Sequence, residues 1–214
     1  MASRAPAPRW RRRKDARPAE IVAAALEAFA ERGFTATRLE DVAERAGVSK
    51  GTLYLYFRNK EELFKAVVRH AMLPNLELAE ARLAASTGSM EQILREIAGG
   101  LVGAIAGTRM GAIPKLIIAE AGNFPDLAQF YVDEVITRAF RLMNAIVTRG
   151  VARGELRNID RNLLPPVIAG PILLLALWKN VLEPYSQAKI DPAHFLETYL
   201  DVLLNGLLRK PEGT

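Results

Sequence analysis

Cysteine is absent from the 214-residue chain, which excludes disulfides and thiolate metal sites. Histidine is nearly absent: His70 and His194 are remote from one another and lack neighbours at ligand spacing, so both read as structural or surface residues and no metal site is expected. Aromatic residues make up only 7%, and no stretch alternates Val, Ile, Thr or Tyr with polar residues, which leaves no candidate strand. Half of the chain is hydrophobic, with Ala and Leu recurring throughout, so the expected fold class is all-α. Long apolar runs are missing too. The longest, LLPPVIAGPILLLALW over residues 163–178, has 16 residues, short of the roughly 20 that cross a bilayer, and it contains Pro165, Pro166 and Pro171. Such a helix is expected to be buried on several sides, with no membrane partner. The chain has no Ser-His-Asp order, glycine-rich phosphate loop or metal cluster, so it is not expected to be an enzyme and no cofactor is implied. With no secretory signal and no cysteine, the expected compartment is the cytoplasm.

Acidic residues are scarce in one place. Residues 1–17 hold Arg4, Arg9, Arg11, Arg12, Arg13, Lys14 and Arg17 against Asp15 alone, a formal +6 in a chain whose total is +5, so the remainder carries −1. The basicity belongs to an arm and not to the fold. Pro6, Pro8 and the lack of apolar groups predict that this arm is disordered in isolation. It is either a solvated tail or a segment that lies along phosphates or enters a minor groove.

What the chain does have is concentrated in LEDVAERAGVSKGTLYLYFRNKEELF, Leu39–Phe64. The spacing predicts two short helices joined by a tight turn at Gly47 and followed at once by a third helix, an arrangement that pushes one helix into a DNA major groove. Val42, Ala43 and Ala46 form the apolar stripe of the first, with Glu40, Asp41, Glu44 and Arg45 on its other side. Val48 fills the space between the helices, and Ser49 caps the second, Lys50 to about Tyr56. Two turns cannot stand by propensity. Leu53 and Phe57 are therefore turned inward, leaving Lys50, Gly51, Thr52, Tyr54 and Tyr56 outward, where amine and hydroxyls suit phosphates and base edges. Upstream, Pro18 opens a helix with the stripe Ile21, Val22, Ala25, Leu26 and Phe29, ended by Gly33. Thr37 with Glu40 predicts a capping box that makes Arg38 the first residue of the next helix, as a phosphate contact or a plain surface arginine. Asn59 with Glu62 caps the helix that begins at Lys60.

From Gly33 to Leu63 this segment resembles, nearly position for position, the helix-turn-helix signature of the TetR/AcrR family of bacterial transcriptional regulators. The resemblance implies a three-helix DNA-binding domain over 18–64 and a larger helical ligand-binding and dimerisation domain over 65–214, about nine helices in all. It assigns Lys50, Gly51, Thr52, Tyr54 and Tyr56 to DNA contact on the recognition helix, and Lys60 to a phosphate at the head of the following helix.

Beyond Phe64 the match is only of length and helical character. The helix from Lys60 is expected to reach about Ala85 with a kink at Pro74, and Ser89 with Gln92 to cap the next. Glu120, amid Leu116, Ile117, Ile118 and Ala121, is either a ligand-reading carboxylate or, as favoured, the partner of an arginine such as Arg138. Candidate ligand-pocket residues are Leu101, Ile105, Ile117, Glu120, Phe124, Tyr131, Phe140, Met143 and Trp178, each equally readable as ordinary core. The resemblance implies that the C-terminal helices, Leu163–Trp178 and Pro192–Leu208, pair with their copies from a second subunit as a four-helix bundle; their surplus of apolar surface independently fits a homodimer, with Leu203 and Leu207 as the expected interface residues.

The favoured function is a DNA-binding regulator, a repressor released from a palindromic operator by a small apolar effector of unspecified identity, acting in the bacterial cytosol at the nucleoid. The alternative is a non-specific architectural DNA-binding protein, whose affinity the basic arm alone would supply.

Overall fold

The computed structural model describes residues 9–208, with side chains from Arg17 onward. Ten α-helices follow in order: α1 (Arg9–Arg32), α2 (Leu39–Arg45), α3 (Lys50–Tyr56), α4 (Lys60–Ala85), α5 (Met90–Gly107), α6 (Ala112–Glu120), α7 (Pro125–Tyr131), α8 (Thr137–Ala152), α9 (Leu164–Leu177) and α10 (Pro192–Leu207). A π-turn over Val132–Ile136 joins α7 to α8 without a break, so the described residues contain nine helical rods and no strand. The expected all-α class and helix count hold. The chain divides into two compact units within α4, after His70, six residues beyond the boundary expected at Phe64.

Residues 1–8 of the expected arm lie outside the described residues. The first helix begins at Arg9, nine residues before Pro18. Arg, Lys and Ala suit a helix, and Pro18 stands inside α1, where it removes one backbone donor and crowds the carbonyl four residues before it.

The first unit is built on three phenylalanines. Phe29 of α1, Phe34 of the following loop and Phe64 of α4 have ring centroids 5.2–5.6 Å apart, with Phe64 edge-on to the other two, and all three are buried. Each such pair contributes about 0.5–1.5 kcal/mol beyond burial. Ile21, Val22 and Ala25 of the expected α1 stripe are buried beside them, and Leu26 is half-buried. Gly33, at φ +84°, ends α1 as a left-handed cap. Thr37 is not the expected cap: its hydroxyl donates to Ala28 O (3.2 Å) and Gly33 O (2.7 Å), and the residue is buried. The cap position of α2 is Arg38, which has no capping side-chain bond.

In the second unit, the buried faces of α5, α8, α9 and α10 make one core, including Ile93, Leu94, Ile146, Ile168, Ile172, Leu200 and Leu204. The expected Ser89–Gln92 capping box opens α5. Tyr199 of α10 donates its hydroxyl to Ile168 O of α9 (3.0 Å), and burial pushes its phenol up to about 12. Arg149 of α8 donates to Leu83 O and Ser86 O, satisfying carbonyls that the end of α4 leaves open.

Two expectations about the C-terminal helices are corrected. Leu207, expected at a dimer interface, is 4% exposed within this chain's own core, and Leu203 is half-buried against the same core. The large apolar side chains that α9 and α10 leave exposed are Val167, Leu173, Leu174 and Val202, with Leu163 just before α9. The helix that holds the 16-residue apolar run continues past it, because a π-turn over Trp178–Leu182 carries it on to Tyr185, a span of 22 residues from Leu164 that is long and apolar enough to cross a membrane. Composition and packing explain it instead: Leu164, Ile168, Ile172 and Ala176 point into the core shared with α5, α8 and α10.

Candidate nucleic-acid interface

Gly47 makes the turn between α2 and α3. Its φ of +64° lies in the left-handed region open to glycine, its N–H donates to Glu44 O (3.0 Å), and the next N–H, of Val48, reaches back to Ala43 O (2.9 Å). The Ser49 hydroxyl oxygen accepts from Thr52 N (3.1 Å) and holds the first turn of α3. Leu53 and Phe57 are buried, which anchors the two-turn helix and fixes its outward face.

That face carries Lys50, Gly51, Tyr54 and Leu55, all exposed, with Thr52 and Tyr56 half-buried at its margins. Thr52 Oγ1 shares a hydrogen bond with Ser49 Oγ at 2.8 Å. Lys50 forms an ion pair with Glu40 of α2 and lies over the Tyr54 ring, 5.8 Å from its centroid. The hydrogen bond from Lys50 holds the Glu40 carboxyl below its usual range, and the same bond holds the Lys50 ammonium above its own. A duplex that takes Lys50 has to compete with Glu40, a partner the spacing did not single out. Leu55 is the other residue that sequence reading missed: it is 83% exposed, and it sits in a run whose alternation with buried Leu53 and Phe57 was the available signal. Arg38 is exposed at the start of α2.

Lys60 is placed differently from the phosphate contact that the resemblance implies. Its Nζ donates to Phe34 O (2.8 Å), Thr35 O (2.9 Å) and Thr37 O (3.1 Å), and stands 4.7 Å from the Phe34 ring centroid. An ammonium has three donors, and these carbonyls take all of them. The loop after α1 leaves carbonyls without helical partners, and the nearest cation answers them.

In the second unit, the candidate pocket residues differ in burial. Ile105 and Tyr131 are buried, and burial alone pushes the Tyr131 phenol up to about 12. Leu101 and Met143 pack against the core, and Ile117, Phe124 and Phe140 are half-buried. Trp178 is half-buried, and its indole Nε1, with Asn144 Oδ1, is a buried side-chain polar atom without a hydrogen-bond partner among the described residues. Glu120 is not the partner of Arg138. That guanidinium forms a fork with Glu80 of α4 (2.8 and 2.6 Å) and reaches Glu77 at 3.6 Å, while Glu120, at the end of α6, accepts from Asn123 Nδ2 at 3.4 Å. Glu77 and Glu80 lie about five turns into α4 and Arg138 in the first turn of α8, a separation out of reach of sequence spacing, which is why the partner was missed.

Residues 21–67 match the family described as bacterial regulatory proteins, tetR family, and residues 84–207 match the tetracyclin repressor-like C-terminal domain. The fatty acid metabolism regulator protein of Bacillus subtilis is 26% identical over 193 residues, 89% of this chain and 95% of its own length. The transcriptional repressor KstR2 of Mycolicibacterium smegmatis is 27% identical over 88% of this chain and 89% of its own. Among solved structures, FadR of Bacillus subtilis in complex with stearoyl-CoA superposes with a TM-score of 0.71 at 24% identity, covering 88% of this chain and 98% of that one. FadR of Bacillus halodurans gives a TM-score of 0.74 at 22% identity, covering 88% and 94%. With both family matches spanning most of its length, the chain belongs to the TetR family of bacterial regulatory proteins, and it is a DNA-binding transcriptional regulator, not an enzyme.

Proposed function

We propose that this chain is a homodimeric repressor that leaves a palindromic operator when an elongated apolar molecule with a polar head, of the acyl thioester kind, enters its second unit. Regulators of this family bind DNA operators and small-molecule ligands, usually as dimers. The observation that carries the proposal is that the fatty acid regulator of Bacillus subtilis and KstR2 align along nearly the whole chain, so the likeness includes the ligand half. The relative whose structure holds stearoyl-CoA supports the effector class. Lys50, Gly51, Thr52, Tyr54 and Tyr56 would meet the duplex, with Arg38 on its backbone. Val167, Leu173, Leu174 and Val202, exposed on α9 and α10, with Leu163 just before α9, supply an apolar surface for the second copy. Two-fold symmetry sets the half-sites about one helical turn apart or a little more. The effector acts only by its differential affinity for the DNA-binding and released shapes. The protein would work in the bacterial cytosol, at the nucleoid.

The test is selection of binding sites from random duplexes with purified protein, repeated at higher salt, followed by titration of the selected site with saturated acyl-CoAs of increasing length. A two-fold symmetric consensus that survives salt and is released by one range of chain lengths supports the proposal. Binding without a consensus, fading with salt, restores the architectural reading. A consensus that no acyl-CoA releases removes this effector class.

A further inference from the structure

The outward face of α3 is unequal in how far its side chains are already committed. Lys50 is paired with Glu40 and lies over Tyr54, and Thr52 is held by Ser49. Leu55 stands 83% exposed, the most exposed large apolar residue among the described side chains of the first unit. Gly51, one turn earlier and on the same side, has open space where a Cβ would stand, with only the Ser49 hydroxyl near, at 3.9 Å. Glycine and leucine together make an apolar step beside the Lys50 cation: low at Gly51, raised at Leu55. Leucine has no polar atom for phosphate or for a base edge. The one apolar group that base pairs present in the major groove is the thymine C5-methyl.

We propose that Leu55 reads a thymine methyl in each half-site, so that this regulator requires a T·A pair of fixed orientation at one position where hydrogen bonding alone would set no such demand. This rests on the specific DNA-binding reading above. Burying one methyl against the leucine is worth about fourfold in affinity, and about fifteenfold when both half-sites lose it. Lys50, beside the step, supplies polar recognition of neighbouring bases once the duplex draws it from Glu40.

The experiment takes the selected consensus and replaces each thymine in turn by uracil, which removes the methyl and keeps every hydrogen-bonding group. Full-length wild type and Leu55→Ala are compared on each duplex, with thermal melting as the check that the exposed substitution leaves the fold intact. The inference predicts one symmetric position where uracil weakens wild type about fourfold per half-site and leaves Leu55→Ala unchanged. Neutral uracil everywhere, an equal penalty in both proteins, or a consensus without a thymine in the α3 half-site overturns it while the specific-regulator reading stands. Failure to obtain any consensus overturns both.

Discussion

Replacing Lys60 by methionine separates the two tasks open to this residue. Methionine keeps the unbranched stem beside Phe34 and removes only the ammonium, which the structure directs at the carbonyls of Phe34, Thr35 and Thr37 (2.8, 2.9 and 3.1 Å). A hydrogen bond to a charged group contributes about 1.5–3 kcal/mol when well shielded. Here three bonds share one cation, Lys60 is half-buried and Thr35 is exposed, so water takes over part of the loss. The expected destabilisation of the first unit is therefore about 2–3 kcal/mol, including roughly 0.5–1 kcal/mol of attraction to the Phe34 ring. Urea unfolding followed by circular dichroism measures it. Operator affinity is then titrated against salt at a temperature where both proteins are folded. A phosphate contact contributes about 0.9 to the slope of log affinity against log salt, whereas a tie between carbonyls contributes nothing. Lower stability with an unchanged slope is the expected pair of results. Unchanged stability with a slope reduced by about 1.8, one phosphate contact from each protomer, refutes the structural assignment and returns Lys60 to the phosphate.

Three further outcomes follow from single contacts. Gly150→Ala builds a Cβ 2.3 Å from Leu156 Cδ1 and 3.1 Å from its Cβ, and Leu156 is buried, so the side chain cannot simply swing away; unfolding should show a loss of about 1–2 kcal/mol despite alanine's better helix propensity. Arg138 holds the Glu80 carboxyl below its usual range, so the pair supports folding above the ordinary carboxylate range and stops doing so as pH falls through the lowered value; Glu80→Gln should cost about 1 kcal/mol at neutral pH, and a gap that persisted after acid had protonated the carboxylate would assign the loss to something else. Glu40→Gln releases Lys50 from its neighbour and removes a negative charge from the DNA-facing surface, so the operator complex should tighten by a factor of about two to five at low salt, and a weaker complex would mean that Glu40 positions Lys50 productively.

The DNA-binding half was legible because its determinants are local. Gly47 needs a positive φ, Ser49 caps the residue three positions on, and Leu53 with Phe57 are one turn apart, so each can be read within a few residues. Where the same region misled, the interaction spans a longer stretch of chain. Thr37 shows the pattern that caps a helix, yet it bonds back to Ala28, and Lys60 reaches carbonyls more than twenty residues earlier. Both belong to the closure of α1 against α2 and α4. Only the fold brings those carbonyls within reach, and a capping pattern carries no information about a competing acceptor.

The ligand half was legible as helices and not as a site. Periodicity placed α5 and α10 well because a buried stripe is a property of one helix. Which apolar residue lines a cavity, and which meets another copy, depends on what faces each stripe. Leu207 and Val202 show this: both are aliphatic residues of α10 and Leu207 was the one expected at an interface, yet Leu207 is 4% exposed and Val202 68%. Arg138 makes the same point for charge, since its partners Glu77 and Glu80 lie on α4, nearly sixty residues away, rather than on the nearer helix that carries Glu120. The physical consequence is a division of labour within one chain. Short-range grammar fixes the face that meets a common partner, the duplex, while long-range packing fixes the interior. A family can therefore change the second, and with it the effector, while keeping the first.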